Sequence, residues 1–245
     1  MRPIYSKFII SKGIAHSQPV KGSYSYFAKK PISRFPGNEY TCENQKSTFK
    51  ELLGENNYIK CDWINKYLAM GHLAAFADFV YYAQPRATLS YINAVPQWQA
   101  FNSDTWKFLE MKIRQYASKT ESDLTVYAGD FGVLKLSERE IFLGKQGNRR
   151  VIPVPQQLYK IVCDDSSKKG MVFIGINRVQ WDNTTFNDAN FRICENECFK
   201  NDLYSGNIDA ATGYIYCCTL SEFLKNEQLA QLFPSELRTY QPLKK

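Results

Sequence analysis

Five polar residues within one stretch of the sequence, Tyr67 to Arg114, could together do chemistry on a phosphate ester. His72 is one of only two histidines, and an imidazole is the usual side chain for taking a proton near neutral pH. Asn102 offers an amide oxygen to a hard cation such as Mg²⁺, which keeps most of its waters and needs only one or two protein groups. Glu110 adds a carboxylate, and Arg114 a guanidinium that can pair with charge developing on a phosphate. Asn93, ahead of Pro96-Gln97, completes the set. A base, an oxygen donor for a metal and a cation, brought together, can cleave a phosphodiester.

Singly, each residue has a plainer structural reading. His72 beside Gly71 suits a turn or a satisfied core position, Asn93 a strand end, and Asn102 a helix cap. Glu110 and Arg114 suit an i,i+4 pair on a solvated helix face. The argument therefore rests on their joint spacing and on the elements that would carry them. Thr88 to Val95 reads as a strand closed by Pro96. From Asn102 the period becomes helical, with Trp106, Leu109, Ile113 and Ala117 as an apolar stripe and Ser103 or Asp104 as the N-cap. Four-residue steps keep Asn102, Glu110 and Arg114 turning only slowly around that helix, with Asn102 at its start.

Elsewhere Ile4 to Ile10 reads as a strand, and Thr41 to Leu53 as a helix stopped by Gly54. Leu124 to Tyr127 and Gly132 to Leu143 read as strands around a Gly129-Asp130 turn. Leu158 to Cys163, Met171 to Ile176 and a short helix near Ser221 to Lys225 follow. The 245 residues can bury a substantial core, and no repeat, low-complexity tract or linker divides them. The expected fold class is α+β, a mostly antiparallel sheet flanked by helices, in one domain over 1–245.

Lys plus Arg exceed Asp plus Glu by 31 to 24, a net +7 compatible with a polyanionic partner. No run approaches the ~18 apolar residues of a membrane span, so no membrane partner is expected. The first residues, MRPIYSKFIISKG, lack the apolar core and cleavage site of a secretory signal. Seven cysteines without zinc-finger spacing nevertheless predict disulfides and an oxidising compartment, with one thiol left over. The sequon Asn183-Thr184-Thr185 agrees with secretion, whereas His16, in a Ser-rich stretch, reads as exposed and uninvolved. No Walker-type loop, G-x-G-x-x-G or G-x-S-x-G is present.

The pattern Gly71-His72, Asn93-x-x-Pro96-Gln97 and Asn102-x-x-x-Trp106-x-x-x-Glu110-x-x-x-Arg114 resembles the signature of the DNA/RNA non-specific endonucleases, the ββα-metal or His-Me finger nucleases. Similarity continues through LTVYAGDFGV, VIPVPQQLYKIV and MVFIGIN, and is strongest to the arthropod secreted nucleases that degrade double-stranded RNA and DNA. The resemblance implies a ββα-metal motif over about 67–118. It makes His72 the general base, Asn102 the protein ligand of one Mg²⁺ (Mn²⁺ as substitute), and Glu110 the holder of water on that ion. Asn93 would orient the site and Arg114 contact phosphate. The implied activity is secreted, Mg²⁺-dependent endonucleolytic cleavage of double-stranded RNA or DNA to 5′-phosphate and 3′-hydroxyl ends.

One position departs. The family's Arg before Gly-His is Met70 here, and the acidic residue before it is Ala69. Losing that Arg is expected to lower activity or shift substrate preference. It also motivates a second expectation, a nucleic-acid-binding homologue without catalysis. A third, an endonuclease G-like mitochondrial enzyme, fits the motif but not the cysteines.

Overall fold

The structure is a computed structural model and describes residues 4–17, 37–54, 58–61, 66–81, 83–146, 149–178, 192–204, 208–209 and 212–243. The sequon at Asn183 lies outside them. In chain order the strands and helices are β1 (Tyr5–Ile10), α1 (Cys42–Leu53), β2 (Leu68–His72), α2 (Ala83–Thr88) and β3 (Ala94–Trp98). A helix follows in three parts: Gln99–Phe101, a π-helical Asn102–Trp106, and α3 (Lys107–Thr120). Then come β4 (Leu124–Phe131), β5 (Lys135–Leu136), β6 (Arg139–Glu140), β7 (Phe142–Gln146), β8 (Arg149–Pro153), β9 (Gln157–Asp164) and β10 (Lys169–Ile176). The remainder holds β11 (Ile208–Asp209), β12 (Gly213–Cys218), α4 (Leu220–Phe223), α5 (Glu227–Ala230) and β13 (Gln241–Pro242).

The main sheet runs β1-β4-β9-β10-β12-β11, antiparallel throughout, with β13 added in parallel to β10. Its central strands read as nearly unbroken apolar runs because both faces are covered. Alternation along each strand divides them. Leu158 and Val162 of β9, with Val126, Met171 and Phe173, face a core closed by Trp106, Leu109, Ile113 and Ala117 of the long helix. Tyr159, Ile161, Val172 and Ile174 face a second core, closed by Leu220, Phe223, Leu229 and Phe233. Lys160 falls on the first of these faces by the same alternation, and is 1% exposed.

The two-stranded ribbon β2–β3 pairs Leu68 with Trp98, Gly71 with Val95 and His72 with Ala94. Among the described residues it joins no other strand, so both outer edges need partners for their backbone groups. Buried side-chain amides supply them. Gln45 of α1 donates Nε2 to Leu68 O (2.8 Å) and accepts from Leu68 N (2.8 Å). Asn177, after β10, accepts from Trp98 N (2.9 Å) and donates to Pro96 O (3.0 Å). Gly71 is required because the fully buried Gln97 side chain crosses the space a Cβ would fill. Gly175 of β10 is bare for a similar reason: Phe101 and Trp106 lie against it, which seats the helix on the sheet.

Several sequence expectations shift. The strand predicted at Thr88 to Val95 is instead the end of α2, a 3₁₀ turn at Tyr91–Asn93, and a strand starting only at Ala94 and running through Pro96. Asn93 is turned inward to bond other loops, and a ribbon strand has one edge where Pro needs no donor. Gly129-Asp130 is not a turn: both residues pair with β9, where the Tyr159 ring occupies the side that Gly129 leaves open. Gly132 to Leu143 is broken by a β5–β6 hairpin whose loop residues Ser137 and Glu138 take positive φ (48° and 60°), as a type I′ turn demands. The other elements fall where periodicity puts them, and no described helix is long and apolar enough to cross a membrane.

Disulfides join Cys42–Cys61, Cys194–Cys218 and Cys198–Cys217, leaving Cys163 buried and free. The first ties the start of α1 to the chain leading into β2, and the other two fasten the segment before β11 to β12.

Candidate active site

His72 ends β2, and the loop after it, Leu73 to Asp78, is held from four directions. Leu73 N donates to Asn93 O (2.9 Å). Ala74 is bonded twice by Asn93, whose Oδ1 accepts from Ala74 N (2.9 Å) while its Nδ2 donates to Ala74 O (2.8 Å). The same Nδ2 donates to Thr88 O (3.0 Å), and the same Oδ1 accepts from Ser6 Oγ (3.1 Å). Every polar atom of Asn93 is thus committed to positioning the loop. Lys160 Nζ, from β9, donates to Leu73 O (2.7 Å). Arg114 Nη1, from α3, donates to Asp78 Oδ1 (2.7 Å), and Asp78 Oδ2 accepts from Ala75 N (3.3 Å).

The helix carries the remaining residues. Lys160 Nζ lies 3.3 Å from Glu110 Oε1, so one ammonium bridges the helix and the histidine loop. The exposed i,i+4 pair expected from Glu110 and Arg114 does not form. Each instead reaches a buried opposite charge from a distant part of the chain, Lys160 and Asp78 respectively. Arg114's other guanidinium donors have no partner among the described residues.

Asn102 is not at the helix start, because the helix begins at Gln99 and lacks the N-cap expected from Ser103 or Asp104. Ser103 Oγ instead donates back to Gln99 O (2.8 Å). The π-helical stretch Asn102–Trp106 matters more. In an unbroken α-helix, Glu110 and Arg114 would follow Asn102 by about 800° and 1,200°, some 80° and 120° beyond whole turns. A π-turn absorbs one extra residue, which removes about 100° and brings all three within about 20° of one line. By this arithmetic the interruption draws the three residues closer to one line than an unbroken helix would.

Burial first, and then the Lys160 ammonium, lower the pKa of His72 from its ordinary 6.5 to about 4. The imidazole is therefore neutral at pH 7, the state a base requires. For Glu110 burial is the largest influence and pushes the carboxyl upward; Asp78 adds to this, while Lys160 and Arg114 oppose it.

Among the described residues no three His, Cys, Asp or Glu side chains group as a metal site. The donors available are oxygens. Asn102 Nδ2 donates to Gln99 Oε1 (3.3 Å), which leaves Asn102 Oδ1 facing no described donor, and Glu110 Oε2 is not the oxygen nearest Lys160. One amide oxygen and one carboxylate on a shared face fit a hydrated hard cation, and fit a soft metal poorly.

The structure thus ties the His72 loop directly to Asn93, to Glu110 through Lys160 and to Arg114 through Asp78, while Asn102 is connected to Glu110 and Arg114 only by the helix. Sequence reasoning missed Lys160 and Asp78. A lone lysine inside the apolar run LYKIVC was the available signal for the first. Asp78 carried none, since its partner is 36 residues away. Met70, in place of the family's Arg, packs against the apolar core.

Residues 2–223 match the profile of the DNA/RNA non-specific endonucleases. The chain is 29% identical over 249 residues to a salivary endonuclease of Lutzomyia longipalpis, covering all of this chain and 58% of the relative. It is 28% identical to the salivary protein Tsal1 of Glossina morsitans morsitans (89% of this chain, 55% of the relative). A salivary endonuclease of Culex quinquefasciatus is 29% identical over 173 residues (66% and 44%). The chain spans about half the length of these curated relatives. The match across most of its residues shows that the chain belongs to the DNA/RNA non-specific endonuclease family.

Proposed function

We propose that residues 1–245 form one secreted, Mg²⁺-dependent nuclease domain (Mn²⁺ as substitute) that hydrolyses double-stranded RNA or DNA without regard to the sugar. The observation carrying this reading is the double tether of the His72 loop to the helix that bears Asn102, Glu110 and Arg114. It supports a site in which a neutral base works with oxygen donors and a guanidinium carried by that helix. His72 takes a proton from the attacking water through an imidazole nitrogen. Arg114, pinned by Asp78, turns its remaining N–H donors to the phosphate, and Asn93 holds the loop still. Asn102 Oδ1 would hold the cation and Glu110 the water around it. The bound ion supplies charge neutralisation at the phosphate and at the 3′ leaving oxygen, giving 5′-phosphate and 3′-hydroxyl products.

Three formed disulfides and the salivary naming of the relatives support secretion. Contacts mainly to backbone phosphates would give weak sequence preference and steep salt dependence. Plasmid nicking and double-stranded RNA degradation, each with Mg²⁺ and with EDTA, test the reading. Cleavage should require the metal, and His72→Ala should lower it by roughly a thousandfold or more with the fold intact. Full activity in His72→Ala would refute the base assignment.

Met70 favours a second reading, a homologue that binds nucleic acid without cutting it, because its place holds a core-packed thioether instead of a cation. A gel shift without nicking in Mg²⁺ would establish that reading.

A further inference from the structure

We propose that Lys160 is a positioning residue of the nuclease site, setting Glu110 and the His72 loop at a fixed mutual distance and orientation. The inference rests on the nuclease reading above. Lys160 is 1% exposed, so it does not touch substrate. Its ammonium has three donors. One goes to Leu73 O at 2.7 Å, immediately after His72, and another faces Glu110 Oε1 at 3.3 Å. Trp106 and Phe8 place ring faces 5.6 Å from Nζ on the remaining sides.

A buried lysine is costly, and a core seeking only stability would hold an apolar residue there. What this one does is geometric. It links β9, a strand paired on both sides within the main sheet, to the loop after His72 and to the helix bearing Glu110. It also engages Glu110 Oε1, the carboxylate oxygen 3.3 Å from its ammonium. Its charge bears on His72 as well, keeping the imidazole in its neutral form. Glu110, Asp78 and Arg114 are the other charged groups in this cluster.

The test compares wild type with Lys160→Met, which keeps length and loses the charge, and with Lys160→Arg. Cleavage of a double-stranded substrate is followed across pH, and folding by thermal denaturation. Lys160→Met should lower kcat by about 100-fold, the scale of a 1 Å misplacement, and leave KM within about threefold. The acid limb of its kcat/KM profile should move to higher pH, since a cation beside His72 is gone. Lys160→Arg should recover part of kcat and the wild-type acid limb. Folded variants with unchanged kcat and profile, or a defect in KM alone, would overturn the proposal. So would failure of both variants to fold, which would assign Lys160 to stability only. A wild type that does not cleave at all would instead defeat the nuclease reading itself.

Discussion

At the scale of the residue, the site is made by burial acting on a few ionisable groups. His72 is the clearest case, since its folded pKa of about 4 lies below the ordinary 6.5. Between those values the unfolded chain binds the proton and the folded one does not. The stability His72 contributes is therefore complete above pH 6.5 and is lost as pH falls towards 4, by up to about 3 kcal/mol. Glu110, raised by burial, tilts the balance the other way, so bulk stability alone does not isolate the histidine. An NMR titration of imidazole carbons does, with signals assigned through His16→Gln. The His72 ring should stay neutral down to about pH 5, and titration near 6.5 would show that the site is wetter than the structure has it. The proposed site residues were legible as a pattern: His72, Asn93, Asn102, Glu110 and Arg114 all stand out by spacing. Their partners were not, because Lys160 and Asp78 are identified only by long-range contact.

At the scale of the element, the helix from Gln99 to Thr120 shows how much local reasoning reaches. Its apolar stripe was readable, and Leu109, Ile113 and Ala117 are buried as their period requires. Its π-helical interruption was not, since nothing in Asn102-Ser103-Asp104-Thr105-Trp106 marks a wider turn. The interruption pairs with close packing of Phe101 and Trp106 against Gly175, a contact set by the sheet. Removing the exposed Asp104 should restore a regular α-helix and rotate Asn102 by about 100° away from Glu110. Cleavage should then fall by about 100-fold or more, while far-UV circular dichroism is unchanged. Wild-type cleavage by the deletion variant would mean that Asn102 does not need to share a face with Glu110. The ribbon β2–β3 makes the complementary point: its sequence predicted one strand over Thr88 to Val95, too early for β3, whereas Gln45 and Asn177 define where its edges lie.

At the scale of the whole molecule, one mostly antiparallel sheet separates the face bearing the proposed site from a structural one. The first carries the long helix, Lys160 and the site; the second is closed by the C-terminal helices and tyrosines. The disulfides sit outside the catalytic cluster and restrain the segments that lead into β2 and β12. Cys163 is on the structural face, and burial first, then Asp165, pushes its thiol up to about 12. Both inaccessibility and protonation make it inert. Ellman's reagent should find no reactive thiol in the native protein and one in guanidinium without reductant. Native labelling, or more than one thiol after unfolding, would contradict the pairing.

The sequence alone determined the family and the residues proposed for its chemistry, because the imidazole, amide, carboxylate and guanidinium fall at fixed intervals within some forty positions. It also determined the class of fold, since period and composition are local properties. Only the tertiary structure decided how those groups are oriented. An ammonium from β9, an aspartate at the end of the histidine loop and a widened helical turn do that work. Each depends on which distant segments share a face of the sheet, and the order of residues along a chain does not encode that locally.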